Sequence, residues 1–228
     1  MIKAVFFDAI DTLFKPYPDK IGMYCRIIKK TSGLTISRER MTEVWQEVIE
    51  YTEKRAAQER DKNDPLAWDG FNQRILKLLN YQGDLEKTGG KLLYEAWSNP
   101  ENFRLFEDVQ LTLEMLKRRQ IIINCISNED KNLYNFFVHF HILKYFQLIV
   151  LSEEERIEKP NPKIFKLALE RAGLKPSETI HVGDSLYSDY KGALKAGLVA
   201  LLIDRENKVE DNSNIVKIDN LIKLERFL

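Results

Sequence analysis

Short runs of β-branched and apolar residues, each closed by a turn or a charge, recur along this chain and constrain its fold more than any other feature. They are Ile2–Phe7, Ile121–Ile126, Leu148–Leu151, Thr179–Val182, Val199–Ile203 and Ile215–Ile218. Runs this short and this continuously apolar read as strands covered on both faces, the pattern of a parallel sheet. Helical periods separate the later runs. Val109–Arg119 sets Leu113 and Leu116 on one face and ends in Lys117-Arg118-Arg119, which suits a helix C-terminus. Pro162–Ala172 repeats the pattern with Ile164, Phe165, Ala168 and Leu169 before Gly173, and Asp189–Ala196 is closed by Gly197. Strand and helix thus alternate from about residue 100 onward, which predicts an α/β fold with a doubly wound, Rossmann-like parallel sheet.

Residues 16–98 break that alternation. They hold no convincing strand and are helical in period over Ile21–Thr31, Ser37–Asp61, Pro65–Leu79 and Leu85–Trp97. All three tryptophans, Trp45, Trp68 and Trp97, fall within them. The predicted organisation is an α/β core of residues 1–15 and 99–228, interrupted after its first strand by a helical cap of residues 16–98. Pro16, Pro18 and Pro100 stiffen the two connections, which suggests a limited swing of the cap.

Composition narrows the class. The chain has 228 residues, 44% of them hydrophobic, enough to bury a sizeable core and too many for wholesale disorder. Lys and Arg number 35 against 35 Asp and Glu, so the electrostatic footprint of a nucleic-acid binder is missing. No run reaches the roughly 18 apolar residues of a membrane span, and the first apolar run, ending at Asp8, is too short for a signal peptide. Two cysteines, Cys25 and Cys125, cannot staple a chain of this size and point to a reducing, cytoplasmic setting. The expectation is an enzyme with a small-molecule substrate, no nucleic-acid partner and no membrane; oligomeric state stays open.

Four elements at strand ends carry candidate chemistry, and open α/β sheets place their ligands at such ends. In Asp8-Ala9-Ile10-Asp11-Thr12-Leu13, a carboxylate closes a buried strand, as a nucleophile, a metal ligand or a helix cap. Ser127-Asn128 offers a hydroxyl and loop N–H groups for an oxyanion, or a plain turn. Glu158-Lys159-Pro160-Asn161-Pro162 starts a helix and carries a lysine that serves either as a point charge for phosphate or as a solvated surface group. In Gly183-Asp184-Ser185-Leu186-Tyr187-Ser188-Asp189, glycine lets the chain leave its strand sharply. Asp184 and Asp189 can then converge on a hard cation such as Mg²⁺, with capping by Asp189 the competing role.

The ordered set Asp8…Thr12, Ser127, Lys159-Pro160 and Gly183-Asp184…Asp189 resembles the motifs of the haloacid dehalogenase superfamily of hydrolases, with a cap inserted after the first motif. The run Asp-x-x-Asp-Thr-Leu and the segments around Trp68 and Tyr94 look most like its domain-containing-protein-3 subgroup. The resemblance implies that Asp8 attacks the substrate and forms a covalent ester, an aspartyl-phosphate in the phosphatases. It implies Mg²⁺ on Asp8, Asp184 and the backbone carbonyl of Ile10, with Asp189 holding the water shell. It further implies that Ser127, Asn128 and Lys159 bind the transferring group and that Thr12 orients the nucleophile loop.

One departure outweighs the matches. Phosphatases of this superfamily usually read Asp-x-Asp-Gly-Thr, and their second Asp is the general acid/base. Ile10 stands at that position and cannot move a proton; losing a positioned acid typically costs about 10²–10⁴-fold in rate. Asp11 occupies the usual Gly position, where a structural bond to the loop is expected rather than acid catalysis. The leading expectation is a Mg²⁺-dependent phosphatase acting on a small phosphorylated metabolite. The runner-up is a 2-haloacid dehalogenase, whose halide leaves without a proton, although Gly183-Asp184 departs from the Ser-Ser-Asn such enzymes resemble. A weakly active or binding-only protein is third. His139, His141, His181 and Cys125 are expected to be structural, Trp45, Trp68, Phe71, Tyr94 and Trp97 to form the cap core, and Glu153-Glu154-Glu155-Arg156 to be a solvated loop.

Overall fold

The computed structural model describes residues 1–58, 66–210 and 214–228, with side chains 53–69 outside the description. The described residues divide into two compact units, Met1–Lys15 with Arg104–Leu228, and Pro16–Phe103.

The first unit is built on a six-stranded sheet. Its strands are β1 (Ala4–Phe7), β4 (Ile122–Ser127), β5 (Leu148–Leu151), β6 (Thr179–Gly183), β7 (Val199–Ile203) and β8 (Lys217–Ile218), in spatial order β5-β4-β1-β6-β7-β8. Every pairing is parallel, with Phe7 opposite Cys125 on one side and Val182 on the other. From β1 the chain winds outward through β4 and β5, then returns to the other side of β1 through β6, β7 and β8. The switch in winding direction therefore falls at β1, where such sheets open a crevice beyond their carboxyl ends. Helices α5 (Val109–Arg118), α6 (Leu133–His139), α7 (Ser152–Glu155), α8 (Pro162–Ala172) and α9 (Gly192–Ala196) make the crossovers.

Burial explains the apolar runs. All four residues of β1 are fully buried, and Phe6, Ile126, Val150, Ile164 and Phe165 belong to one core cluster with Tyr190 and Leu202. Phe14 packs edge-on against Phe136 and Phe137. Asn161 caps α8 through Lys163 N, Pro162 opens that helix and Gly173 ends it in the left-handed region, as the sequence signals required. The helix read as Asp189–Ala196 starts earlier, as a wide π-type turn over Leu186–Lys191 that passes into α9. The acidic run read as a loop is the single turn α7, whose Glu155 receives both terminal nitrogens of Arg171.

The second unit holds α1 (Lys20–Ser32), α2 (Arg38–Gln58), α3 (Leu66–Leu78) and α4 (Leu85–Trp97). Asp19 caps α1 and Asp84 caps α4 through their side chains. Tyr24 is buried, stacks edge-on with Trp45 at 4.9 Å and accepts a hydrogen bond from Trp97 Nε1 at 3.2 Å; Trp45 in turn meets Phe71. Tyr94 does not join this core: it is 63% exposed, because α4 turns Leu92 and Ala96 inward instead. The Trp68 side chain and the expected helix limits at Asp61 and Pro65 lie outside the described residues. The strands β2 (Phe14–Pro16) and β3 (Phe103–Leu105), which carry the chain out of and back into the first unit, pair with each other.

Candidate active site

The site forms at the carboxyl ends of β1, β4 and β6, within the first unit. β1 delivers Asp8 directly after its last residue, and the Asp8 amide still bonds to the Val182 carbonyl at 2.9 Å. The loop then doubles back. Leu13 N and Phe14 N both donate to Ala9 O, while Asp11 N donates to Phe14 O. This tight turn holds Asp11 at φ 61°, in the left-handed region that asparagine and aspartate tolerate better than most residues. Thr12, fully buried, donates from Oγ1 to Asp8 Oδ2 at 3.2 Å.

Lys159 is the hub. Its side chain is 2% exposed, and Nζ lies 2.6 Å from both Asp8 Oδ1 and Asp189 Oδ1. Its backbone is gripped as well: Asn128 Nδ2 donates to Lys159 O at 2.9 Å and Lys159 N donates to Asn128 Oδ1 at 2.8 Å. The Asn128 amide is thereby committed to the lysine loop. Burial works against the Lys159 charge, but the Asp189 and Asp8 carboxylates overcome it and raise the ammonium pKa above its ordinary value.

The wide turn after β6 supplies the remaining carboxylates. Asp189 accepts from Lys159, from His181 at 2.9 Å and from Ser185 N at 3.1 Å. Burial opposes its charge, yet Lys159 and His181 hold its pKa well below the usual carboxylate range. Gly183 makes this approach possible: a Cβ there would stand 2.2 Å from Asp189 Cγ. Asp184 lies on the solvent-exposed side, with carboxylate oxygens of Asp8, Asp184 and Asp189 all within 4.8 Å of one another. Partial burial, then the Asp8 and Asp189 charges, push Asp184 up to about 8, an effect that contact with water softens. Burial also carries Asp8 up to about 6, against the pull of Lys159, so most of it remains ionised at neutral pH.

Ser127 closes the site from β4. It is 1% exposed and its Oγ has no hydrogen-bond partner among the described residues, a costly state for a buried hydroxyl unless something outside the chain meets it. Asp8, Thr12, Ser127, Lys159, Asp184 and Asp189 are thus brought to one end of the sheet; Ile10 sits half-buried on the same loop as Asp8. His139 and His141 are exposed, and Cys125 is a buried thiol. His181 was expected to be a packed core residue, and it is fully buried against the Phe165 ring. It also holds Asp189, a contact invisible in the sequence because it joins a mid-strand residue to the turn beyond that strand. Glu129, beside Ser127 and Asn128, was likewise unflagged; burial and then the Asp8 charge push its carboxyl up to about 8.

The fold and site together define an α/β protein with a Rossmann-like core and an acidic, lysine-bridged centre at its switch point. The family model for haloacid dehalogenase-like hydrolases matches residues 2–197, and the chain belongs to that family. Among curated relatives, haloacid dehalogenase-like hydrolase domain-containing protein 3 of Danio rerio is 27% identical over 90% of this chain and 86% of its own. Glyceraldehyde 3-phosphate phosphatase of Methanopyrus kandleri is 30% identical over 92% of this chain and 87% of its own. The solved structure of the HAD-hydrolase YfnB from Bacillus subtilis, described as bound to magnesium, superposes with a TM-score of 0.85 at 19% identity, covering 100% of this chain and 98% of that one. Among the described residues, no helix is long and apolar enough to cross a membrane.

Proposed function

We propose that this hydrolase is a Mg²⁺-dependent phosphatase that acts on a small phosphorylated metabolite in the cytoplasm, with Asp8 as nucleophile. The observation that carries the reading is the Lys159 bridge between Asp8 and Asp189, with Asp184 beside them and the unpartnered Ser127 hydroxyl on the next strand. The phosphatase activity named for the Methanopyrus relative supports it.

The donor set suits a hard cation. Its oxygens are carboxylate, clustered and partly open, and Mg²⁺ takes one or two carboxylates while keeping waters and substrate phosphate oxygens. Asp8, Asp184 and the Ile10 carbonyl would hold it, and Asp189, engaged by Lys159, His181 and Ser185, would act through the surrounding water. When bound there, the ion would supply charge neutralisation for an incoming phosphoryl group. The chain's own residues do the rest. Asp8 Oδ attacks phosphorus, forming the Asp8 acyl-phosphate bond as the bond to the leaving oxygen breaks. Water then hydrolyses that ester and regenerates the carboxylate. Thr12 holds Asp8 by one oxygen, and Lys159 and Ser127 face the charge that builds on the transferring group.

With Ile10 in place of an acid, the leaving oxygen receives no proton from that position. The reading therefore favours substrates with good leaving groups, such as acyl phosphates. The helical unit would serve as the cap that selects the substrate. Purified protein is assayed on acetyl phosphate and p-nitrophenyl phosphate with Mg²⁺ and with EDTA, beside Asp8→Asn and Ile10→Asp. Turnover that needs both Mg²⁺ and Asp8 is expected, with a gain from Ile10→Asp on an alkyl phosphate such as glycerol 3-phosphate, run beside them, whose alkoxide cannot leave without a proton. No turnover with any metal overturns the reading; release of halide from 2-chloropropionate would then establish the dehalogenase, and silence on both would leave a weakly active or binding-only protein.

A further inference from the structure

Arg205 follows β7 closely, at the same carboxyl end of the sheet as Asp8, and its guanidinium is largely buried, with 16% of the side chain exposed. Nη2 donates to the backbone carbonyl of Thr12 at 2.9 Å. Nη1 and Nη2 also form a bidentate pair with Asp108 at 2.8 and 3.1 Å, and the plane stacks on Phe106, 3.7 Å from the ring centroid. Asp108 is itself fixed, accepting Leu221 N at 2.7 Å. The Phe106 amide donates to the next carbonyl of the loop, Leu13 O, at 3.0 Å. Two successive carbonyls after the nucleophile are therefore held by one short segment and the arginine it orients.

We propose that Arg205 is a positioning residue for the Asp8 loop, fixing Thr12 through its backbone carbonyl so that the Thr12 hydroxyl keeps Asp8 aimed. Asp108 and Phe106 set the guanidinium for that contact before substrate arrives. The geometry needs arginine: a planar fork can satisfy the Asp108 carboxylate with two parallel bonds, still reach the Thr12 carbonyl and lie flat on a ring, whereas an ammonium offers a single point charge. Nucleophile placement matters steeply, since a displacement of about 1 Å at a reacting centre costs on the order of 10²-fold in rate. As a statement about catalysis the inference rests on the proposed activity; as a statement about loop order it does not.

Two readouts separate these. Arg205→Lys and Arg205→Gln are compared with Ile218→Val, a control that weakens the neighbouring edge strand without touching the loop. In acetyl phosphate turnover, kcat is expected to fall about tenfold or more in Arg205→Gln and less in Arg205→Lys, with KM within about twofold. Hydrogen exchange of the peptide covering residues 8–14 should quicken in both arginine variants and stay unchanged in Ile218→Val, while peptides from α8 exchange as in the parent. A kcat loss matched by the control, a loss expressed in KM alone, or unchanged exchange of residues 8–14 in folded variants overturns the proposal. If the parent protein turns over no substrate, the functional reading has failed, and the exchange comparison still decides the role of Arg205. Should Arg205→Gln not fold, Arg205→Lys decides both arms.

Discussion

Replacing Lys159 by Met keeps the length of the side chain and removes the cation that, among the described residues, faces both Asp8 and Asp189. Each pair is 2.6 Å apart and buried, so with an effective dielectric of about 20 each attraction is worth roughly 6 kcal/mol before desolvation. Taking three charges out of water returns several kcal/mol per ion, and breaking a buried pair from one side has a net cost of about 3–5 kcal/mol. The two pairs do not add, because Asp8, already at about 6, takes up a proton once the ammonium is gone and so caps the loss. We therefore expect Lys159→Met to lose about 3–5 kcal/mol at pH 7 in EDTA. The difference from the parent should shrink as pH falls through about 6, where Asp8 is protonated in both proteins. Urea unfolding measures it. Trp45, Trp68 and Trp97 all lie in Pro16–Phe103, so circular dichroism is the signal that follows the core. A loss under about 1 kcal/mol, or one that stays constant between pH 7 and pH 5, refutes the view of Lys159 as the charge that holds this acidic centre together.

Three further outcomes follow from single contacts. Gly183→Ala drives a methyl to 2.2 Å from Asp189 Cγ; overpacking of this kind costs about 1–3 kcal/mol, read as a Tm several degrees lower, and turnover should fall as Asp189 leaves Lys159. Ser127→Ala deletes a buried hydroxyl that has no partner, so the melting temperature should hold or rise while phosphatase kcat/KM drops by about 10²-fold; a large stability loss would show that the hydroxyl serves the fold. Tyr24 ionises only at about 12, because burial outweighs the bond from Trp97. Its folded pKa lies above the unfolded value near 10, so stability is complete below pH 10 and declines as pH rises from there toward 12, by up to about 2–3 kcal/mol. Tyr24→Phe should remove that alkaline slope in a denaturation series, and an unchanged slope would assign it to other groups.

Much of this was legible along the chain. The central apolar runs are strands because they are buried on both faces, whereas the last, with Val216 45% exposed, pairs at the sheet edge; β1, β5 and β7 fall inside or on the runs read for them. Fragments at strand ends sufficed to group Asp8, Thr12, Ser127, Lys159, Asp184 and Asp189, since in a parallel sheet all strand carboxyl ends share one edge. Local signals also placed α8, with Asn161, Pro162 and Gly173 each in a position where only a few residue types serve. Where the pattern misled, contacts beyond the local segment decided the geometry. The turn after Ser185 widens to π-type because Asp189 must reach Lys159 and His181, and Tyr94 faces outward because α4 has other residues to bury.

The pairing within the site was a tertiary decision. Lys159 and Asp8 are 151 positions apart and Arg205 and Thr12 are 193 apart, and no periodicity or motif spacing encodes which of several carboxylates a buried ammonium will bridge. That choice depends on register, on the width of one turn and on how completely water is excluded. Chain order dictates that acids and a lysine arrive at the same edge of the sheet. Only packing decides that Lys159 bridges two of them, that Asp184 remains on the open side, that Asn128 spends its amide on the lysine backbone, and that the Ser127 hydroxyl finds no partner among the described residues.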